Sequence, residues 1–322
     1  MTLCILVFLL LTVIFIAQQN DLLAVSMLFG IYSLLLATLF VLMDAADVAM
    51  TETVIGAGVS SVLLIAAVAA TTRKELCSKG RPVLALLVVF FVGAAMLYGT
   101  MELPLYGDVT AMPHQHVAPR YIADSPSEIG ISNMVSSILA SYRGYDTLGE
   151  ITVIFCAAVG VLLLLGYHGD DGKNLEEPGD VAPLKFHMIL RVIVKLMTPI
   201  ILMFGFYIQF HGEISPGGGF QAGALIASAF FLHALVFGLK KARAVTPPIF
   251  LQITAATGVL VFAGTGIVCQ LMGGDYLDYN ALHSNAITGQ HIGIWLIELG
   301  VCLTVVSVML ILFLNFARRV GP

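Results

Sequence analysis

Charge is what this 322-residue sequence has least of: Asp, Glu, Lys and Arg together make up 11% of it, against 59% hydrophobic residues. A soluble globular domain carries roughly a quarter charged residues, so that class is excluded and the chain reads as an integral membrane protein. Long basic runs are missing too. The 15 Lys and Arg are outnumbered by 20 Asp and Glu, which excludes nucleic acid as a partner. The five cysteines, Cys4, Cys77, Cys156, Cys269 and Cys302, have no paired spacing. Neither a disulfide nor a metal centre is expected, and Cys4, Cys156 and Cys302 fall in apolar runs as small core residues. Met1-Thr2-Leu3 has no basic leader, and Gln18-Gln19-Asn20 has no small-residue cleavage pattern, so the first apolar run is expected to remain as a helix without an organellar address. No phosphate-loop lysine follows a glycine run and no nucleophile stands beside a base, so no enzymatic activity of its own is expected.

What the chain does have is apolar runs of membrane-spanning length, near residues 2–17, 22–43, 53–71, 83–100, 151–167, 186–210, 220–239, 248–271 and 292–317. The expectation is an all-α polytopic protein of about nine transmembrane helices. Lysine and arginine stay on the cytoplasmic side of a membrane chain. Arg73, Lys74, Lys79, Arg81, Lys173, Lys185, Lys240, Lys241, Arg243, Arg318 and Arg319 all fall on one side of this pattern, and Arg120 and Arg143 on the other. The N-terminus is therefore expected outside and the C-terminus in the cytoplasm, with the loops 101–145 and 272–291 facing outward.

One stretch forbids helix: Ser215-Pro216-Gly217-Gly218-Gly219-Phe220-Gln221, between two spans. It reads either as an ordinary tight loop or as a functional break. Asp44, Asp47 and Glu52 join the second and third spans without Gly or Pro between them. Persisting helical turns there would put Asp44 and Asp47 within about 60° of each other and Glu52 about 140° from Asp47. The segment is either a wet outer turn or a proton or cation site at the membrane edge. Asp146 and Glu150 are four apart, on one helical face. Asp146 also suits a helix N-terminus, whereas residues 151–167 alone reach only about 25 Å, so Glu150 is expected inside the span. His187, Arg191 and Lys195 stack at successive fours, with Lys195 about 14 Å into its helix and in need of a carboxylate or a hydrated cavity. Glu298 is expected about 10 Å into the last helix, on the face of His291 and Trp295. His114 and His116 have metal-ligand spacing but no third ligand nearby, and read as solvated loop.

Phe210-His211-Gly212-Glu213-Ile214-Ser215-Pro216-Gly217-Gly218-Gly219-Phe220-Gln221 resembles the signature of the B subunit of Mrp-type multisubunit sodium/proton antiporters, His-Gly-His-Leu-Ser-Pro followed by Gly-Gly-Gly-Phe-Gln. Glu298-Leu299-Gly300-Val301 resembles the acidic-x-Gly-Val pattern of that subunit's last helix. Asp44 to Glu52 is similar to the Ala-Pro-Asp-Val-Ala-Leu-Thr-Glu motif of a three-helix segment in the tail of the A subunit. Tyr142 to Glu150 is similar to the Arg-x-x-Asp-Thr-Leu-Gly-Glu motif of the two-helix segment that follows it. Two departures stand out: Ala46 replaces the usual proline, and Glu213 replaces a common second histidine.

The resemblance implies three modules: a three-helix unit 1–75, a two-helix unit 80–170 and a four-helix B-subunit unit 184–322. It also implies a non-enzymatic subunit of a complex that exchanges Na+ for H+ in a prokaryotic inner (plasma) membrane and is related to the pumping arm of respiratory complex I. No cofactor is implied beyond the transported ions. The partners it implies are the lipid bilayer, the large A and D subunits and small membrane subunits. Related modules occur in membrane-bound hydrogenases and ferredoxin-driven complexes, which leaves a redox-driven host open, as it does a purely structural assembly role. The ion pathway is expected to use Glu150, Asp47, Glu52, Asp44, Asp146, Lys195, Glu298 and His211, with Pro216, Gly217, Gly218, Gly219 and Phe220 as a structural motif that packs helices.

Overall fold

The computed structural model describes residues 1–75, 82–105, 107–165 and 188–318. The expected linker Gly169 to Pro183, Cys77, His187 and the basic residues Lys79, Arg81, Lys173, Lys185 and Arg319 lie outside the described residues, as do the module edges near 80, 170 and 184. Eight helices among those described are long and apolar enough to cross a membrane, and a shorter apolar helix, α1 (Thr2–Gln18), precedes them. The spanning helices are α2 (Leu22–Leu42), α3 (Ala46–Ala70), α4 (Pro82–Met101), α6 (Gly144–Leu165), α7 (Met188–His211), α8 (Gly219–Phe237), α10 (Pro248–Leu271) and α11 (Ala286–Arg318). Among the shorter helices outside the spans are α5 (Val117–Glu128) and α9 (Leu239–Val245). Apart from an isolated bridge between Asp21 and Lys74, the described residues contain no strand. An all-helical polytopic chain follows from the composition, because hydrocarbon offers no partner for free backbone N–H and C=O groups and a helix satisfies its own.

The spine is α11, whose 33 residues rise about 50 Å. Helices α8 and α10 pack along it, and α6 and α3 touch it further round. The α10–α11 crossing is tight because Gly258 and Gly300 meet there, where a Cβ on Gly258 would run into Thr304 and the Gly300 carbonyl. Phe231 and Phe313 stack across α8 and α11 with centroids 4.5 Å apart, and Phe262, Ile294 and Val305 are fully buried in a second cluster along the same helix. Helix α7 lies on the far side of α8, with Val194, Gly205 and Ile208 turned inward. Helix α4 is exposed along its length, with only Gly93 half-buried. Cys156 and Cys4 are exposed rather than core, since each lies on the outward face of its helix.

Two boundaries differ from expectation. Helix α3 begins at Ala46 rather than near 53, because Asp44 adopts φ 56° and breaks the chain there, so Asp44 and Asp47 do not share a helical face. Helix α11 begins at Ala286 rather than 292; Gly289 and Gly293 pack on Tyr279, which extends the helix about two turns. Glu298 therefore sits about 18 Å into its helix. The long segment 101–145 is not mere loop: Met112–Gln115, α5, Met134–Ser137 and Ile138–Tyr142 are helical, while His114 and His116 stay exposed.

The two loops expected to face outward, 101–145 and 272–291, meet the turn after α7 and the start of α3 at one end of the bundle. Asn133 caps the turn Met134–Ser137 through its Oδ1, and its Nδ2 donates to the carbonyls of Gly212 and Ser215, each at 2.9 Å. Ser136 Oγ adds a bond to the Gly212 carbonyl at 2.7 Å, and the Asn133 N–H donates to the Glu213 carbonyl at 3.0 Å. Tyr279 Oη donates to the Ala140 carbonyl at 3.0 Å and Ser141 Oγ to Gln290 Oε1 at 2.8 Å. At the opposite end Arg73 pairs with Asp21 at 2.8 Å.

Two outcomes test this packing. Gly258→Leu is expected to cost at least about 1–3 kcal/mol of overpacking. Gly264→Leu, at a position with open space around it, is expected to be tolerated; the measurement is the thermal denaturation midpoint of the detergent-solubilised complex. By the same measurement Asn133→Ala, which takes the side-chain donor from the Ser215 carbonyl and one of two from the Gly212 carbonyl at about 1–3 kcal/mol per lost partner, is expected to lower the midpoint. Ser132→Ala, whose hydroxyl makes only longer contacts of 3.3 and 3.4 Å, is expected to leave it unchanged.

Candidate functional site

Below this junction lies a cavity of about 250 Å³ lined by residues of all three stretches of the chain. Asp47 enters it from the first turn of α3, a position that favours a carboxylate through the helix dipole. It is 7% exposed, and its Oδ1 accepts a hydrogen bond from the Gly217 N–H at 2.9 Å. Glu150 enters from the second turn of α6, inside the span as its length required, and stands on the exposed side of the cavity. Glu298, 9% exposed, comes from α11.

The glycine turn forms the wall between these carboxylates. Gly218 has φ 127°, a conformation glycine adopts without strain and other residues do not. A Cβ there would stand 3.2 Å from Glu298 Oε1, and one on Gly219 would fall on the Glu298 carbonyl oxygen. The absence of side chains thus lets the start of α8 come down directly on α11. Gly219, Phe220 and Gln221 begin that 19-residue helix and line the cavity, so the positive end of its dipole faces the carboxylates. Thr51, Ser136 and Thr147 add hydroxyls, Leu139, Ile297 and Val301 add apolar wall, and no cationic side chain is among the lining residues. The charges that bear on Glu298 are those of Glu213 and Asp47. Three carboxylates thus line one cavity, and none of its described lining residues is a lysine, arginine or histidine that could neutralise them.

The remaining candidates from the sequence are placed elsewhere. Asp44 is exposed at its turn. Glu52 opens a wide-turned stretch of α3, residues Glu52–Ser60, with its carboxylate beside Gly56 and near Ser33 instead of in the cavity wall. Asp146 is exposed and accepts from Arg143 Nε at 2.6 Å. His211 is half-buried and stacks on the Tyr207 ring at 4.7 Å. Lys195, expected to face the same path as Glu298, is exposed on α7, because α7 buries its Val194–Gly205–Ile208 face against α8. Pro216 is exposed while Gly217, Gly218 and Gly219 are buried. The glycine motif therefore packs α8 against α11 and also forms part of the cavity wall.

Residues that sequence reasoning did not single out include Asn133, Ser136, Thr51, Thr147 and Gln221. Asn133 carried a readable signal, a capping side chain just ahead of a helical turn; the threonines lie on the same helical faces as Asp47 and Glu150 but announce nothing alone. Glu213, standing where a second histidine is common, is bonded through Oε2 to His291 Nδ1 at 2.8 Å, so the imidazole arrives from α11 instead. Outside the spans, Tyr142 donates to Glu128 Oε2 at 2.5 Å, and burial together with that carboxylate pushes its phenol up to about 12.

Residues 189–311 match the family described as a domain related to the MnhB subunit of Na+/H+ antiporter; residues 7–73 match the MBH subunit family MbhD and residues 81–178 the MBH subunit family MbhE. A putative antiporter subunit mnhB2 of Staphylococcus aureus is 36% identical over 133 residues, which are 40% of this chain and 94% of the relative. An uncharacterized protein of Methanocaldococcus jannaschii is 29% identical over 221 residues, 64% of this chain and 77% of its own. Among solved structures, a chain of the Mrp complex from Dietzia sp. DQ12-45-1b superposes with a TM-score of 0.69 over 95% of this chain at 22% identity; the match spans about a third of that longer chain, 34%. A chain of the membrane-bound sulfane sulfur reductase, an archaeal respiratory membrane complex, superposes with a TM-score of 0.55 at 28% identity, over 73% of this chain and 97% of its own. The chain therefore belongs to the family of MnhB-related Na+/H+ antiporter subunits, its MnhB-related helices preceded by regions that match MbhD and MbhE.

Proposed function

We propose that the chain is a subunit of a multisubunit complex that exchanges Na+ for H+ across a prokaryotic inner membrane, and that the cavity between Asp47, Glu150 and Glu298 is a station where the two ions compete. The observation that carries this reading is the convergence of three carboxylates, one from each matched region, on one space closed by the glycine turn. A carboxylate binds either a proton or a metal cation, so occupancy by one releases the other. The apolar wall strengthens the competition by weakening dielectric screening. Asp47 is held by the Gly217 N–H and by its place at the start of α3, whereas Glu150 stands on the open side. In this reading Glu150 admits the ion and Asp47 and Glu298 hold it. Glu52, one turn beyond Asp47 and outside the cavity, would take it onward along α3. Large antiporter-like A and D subunits and small membrane subunits are the partners this role calls for.

A second reading rests on the likeness to the sulfane sulfur reductase chain, which this chain covers almost completely: the same site would serve a redox-driven pump. Iron–sulfur subunits that copurify with the chain select the pump, and their absence selects the antiporter.

Asp47→Asn, Glu150→Gln and Glu298→Gln are each expected to reduce sodium-dependent proton movement by roughly tenfold or more, on the scale of losing one charged partner of the ion. The readout is a pH-sensitive dye inside vesicles carrying equal amounts of assembled complex. Asp44→Asn and Asp146→Asn, which touch no part of the cavity wall, are expected to stay near the parent rate. Unchanged transport in Glu150→Gln and Glu298→Gln would remove the cavity from the mechanism.

A further inference from the structure

Lys195 is a charged side chain on an outward membrane-facing surface. Seven residues, about 10 Å of rise, separate it from Met188, and sixteen more, about 24 Å, lead on to His211. With the helix centred on a hydrocarbon layer of about 30 Å, its Cα lies several ångströms inside the apolar zone. Around it Val192, Leu196 and Met203 are 59, 61 and 73% exposed, so no other helix among the described residues covers this face. The cavity is a separate place, since no residue of α7 is among those lining it and its wall is formed by Gly217 to Gln221, beyond the His211 end of α7.

A second, independent feature sits at the same place. Pro199 lies inside α7 and has no N–H, so it cannot make the helical bond to the carbonyl four residues back, which is that of Lys195. Thr198 does not repair it, because its hydroxyl bonds the Val194 carbonyl at 2.8 Å. One residue thus offers both an ammonium and a backbone carbonyl without its helical donor, on a face where hydrocarbon can answer neither. Escape toward the nearer surface is hindered: Arg191, one turn closer to that surface, holds its guanidinium over the Phe237 ring at 5.7 Å, and the lysine would have to move toward a like charge.

We propose that the Lys195–Pro199 face of α7 is the seat of a transmembrane helix from a companion subunit, and that this helix supplies a carboxylate to the Lys195 ammonium. The charge dictates the chemistry of the occupant, since only an acidic side chain both pairs with the ammonium and offsets its desolvation. Val192, Leu196 and Met203 supply the apolar part of the contact. The seat is separate from the cavity, so the contact stands whichever ion the complex carries, and assembly and transport can fail independently.

The test uses the whole complex in native membranes, treated with a membrane-permeant carbodiimide that joins an amine and a carboxylate in direct contact as an amide. Peptide mass spectrometry is expected to find Lys195 joined to an Asp or Glu within a transmembrane segment of another subunit. Lys195→Arg is expected to retain the companion subunit on purification. Lys195→Glu is expected to lose it, and exchanging the cross-linked carboxylate for Lys in that variant is expected to restore it. The proposal is overturned if Lys195 in the intact complex forms no such cross-link and is instead acylated by a lipid-soluble amine reagent, the result for a lysine that reaches lipid headgroups. It is equally overturned if Lys195→Glu retains every subunit.

Discussion

The structure depends on one constraint: the backbone opened at Pro216, Gly217 and Gly218 must find hydrogen-bond partners next to the membrane, where water is scarce. A helix would satisfy these groups by itself, and this sequence cannot form one there. The partners come from elsewhere in the chain. Asp47 takes the Gly217 N–H, Asn133 and Ser136 serve the Gly212 and Ser215 carbonyls, and the Ile208 carbonyl accepts from the Gly218 N–H at 3.3 Å. Because Asp47, Asn133 and the turn belong to three different stretches, meeting this local need also joins those stretches together.

The cavity is a consequence of the same arrangement. Bringing Asp47 to the turn places it beside Glu298, and the segment anchored by Asn133 leads through Ile138–Tyr142 into α6, which delivers Glu150. The glycines are needed twice over, once for the φ of Gly218 and once so that α8 can start against the backbone of α11. A larger residue would fill the space the carboxylates share, so the packing of the junction and the geometry of the proposed ion station are not separable. The tight Gly258–Gly300 crossing then holds α11, and Glu298 with it, against α10.

Much of this is legible in the residues alone. Composition and run length predict an all-helical membrane chain, and eight spanning helices with one shorter apolar helix are close to the nine expected. A length argument places Glu150 in its span, and the start of α6 at Gly144 bears it out. The positions of Asp44 and Lys195 are not legible, and for different reasons. A single left-handed residue, Asp44, resets the helical phase on which the angular estimate relies. Lys195 carries no mark of which side of α7 would find a neighbour, because a membrane helix is apolar on its lipid face and its packed face alike.

The sequence by itself determined the solvent, the approximate number of spanning helices and the residue types able to hold a cation, because each depends on local composition and on the rise of a helix. It also determined that a break must occur in the stretch Ser215 to Gln221, although only Ser215 to Gly218 are non-helical and Gly219 to Gln221 already belong to α8. Only the tertiary structure decided which carboxylates share a space. Asp47 and Gly217 are 170 residues apart, and whether their groups meet depends on the rotation of each helix about its axis. That rotation is set by which small residues permit close approach and by which buried backbone groups demand a partner, two conditions no single segment contains.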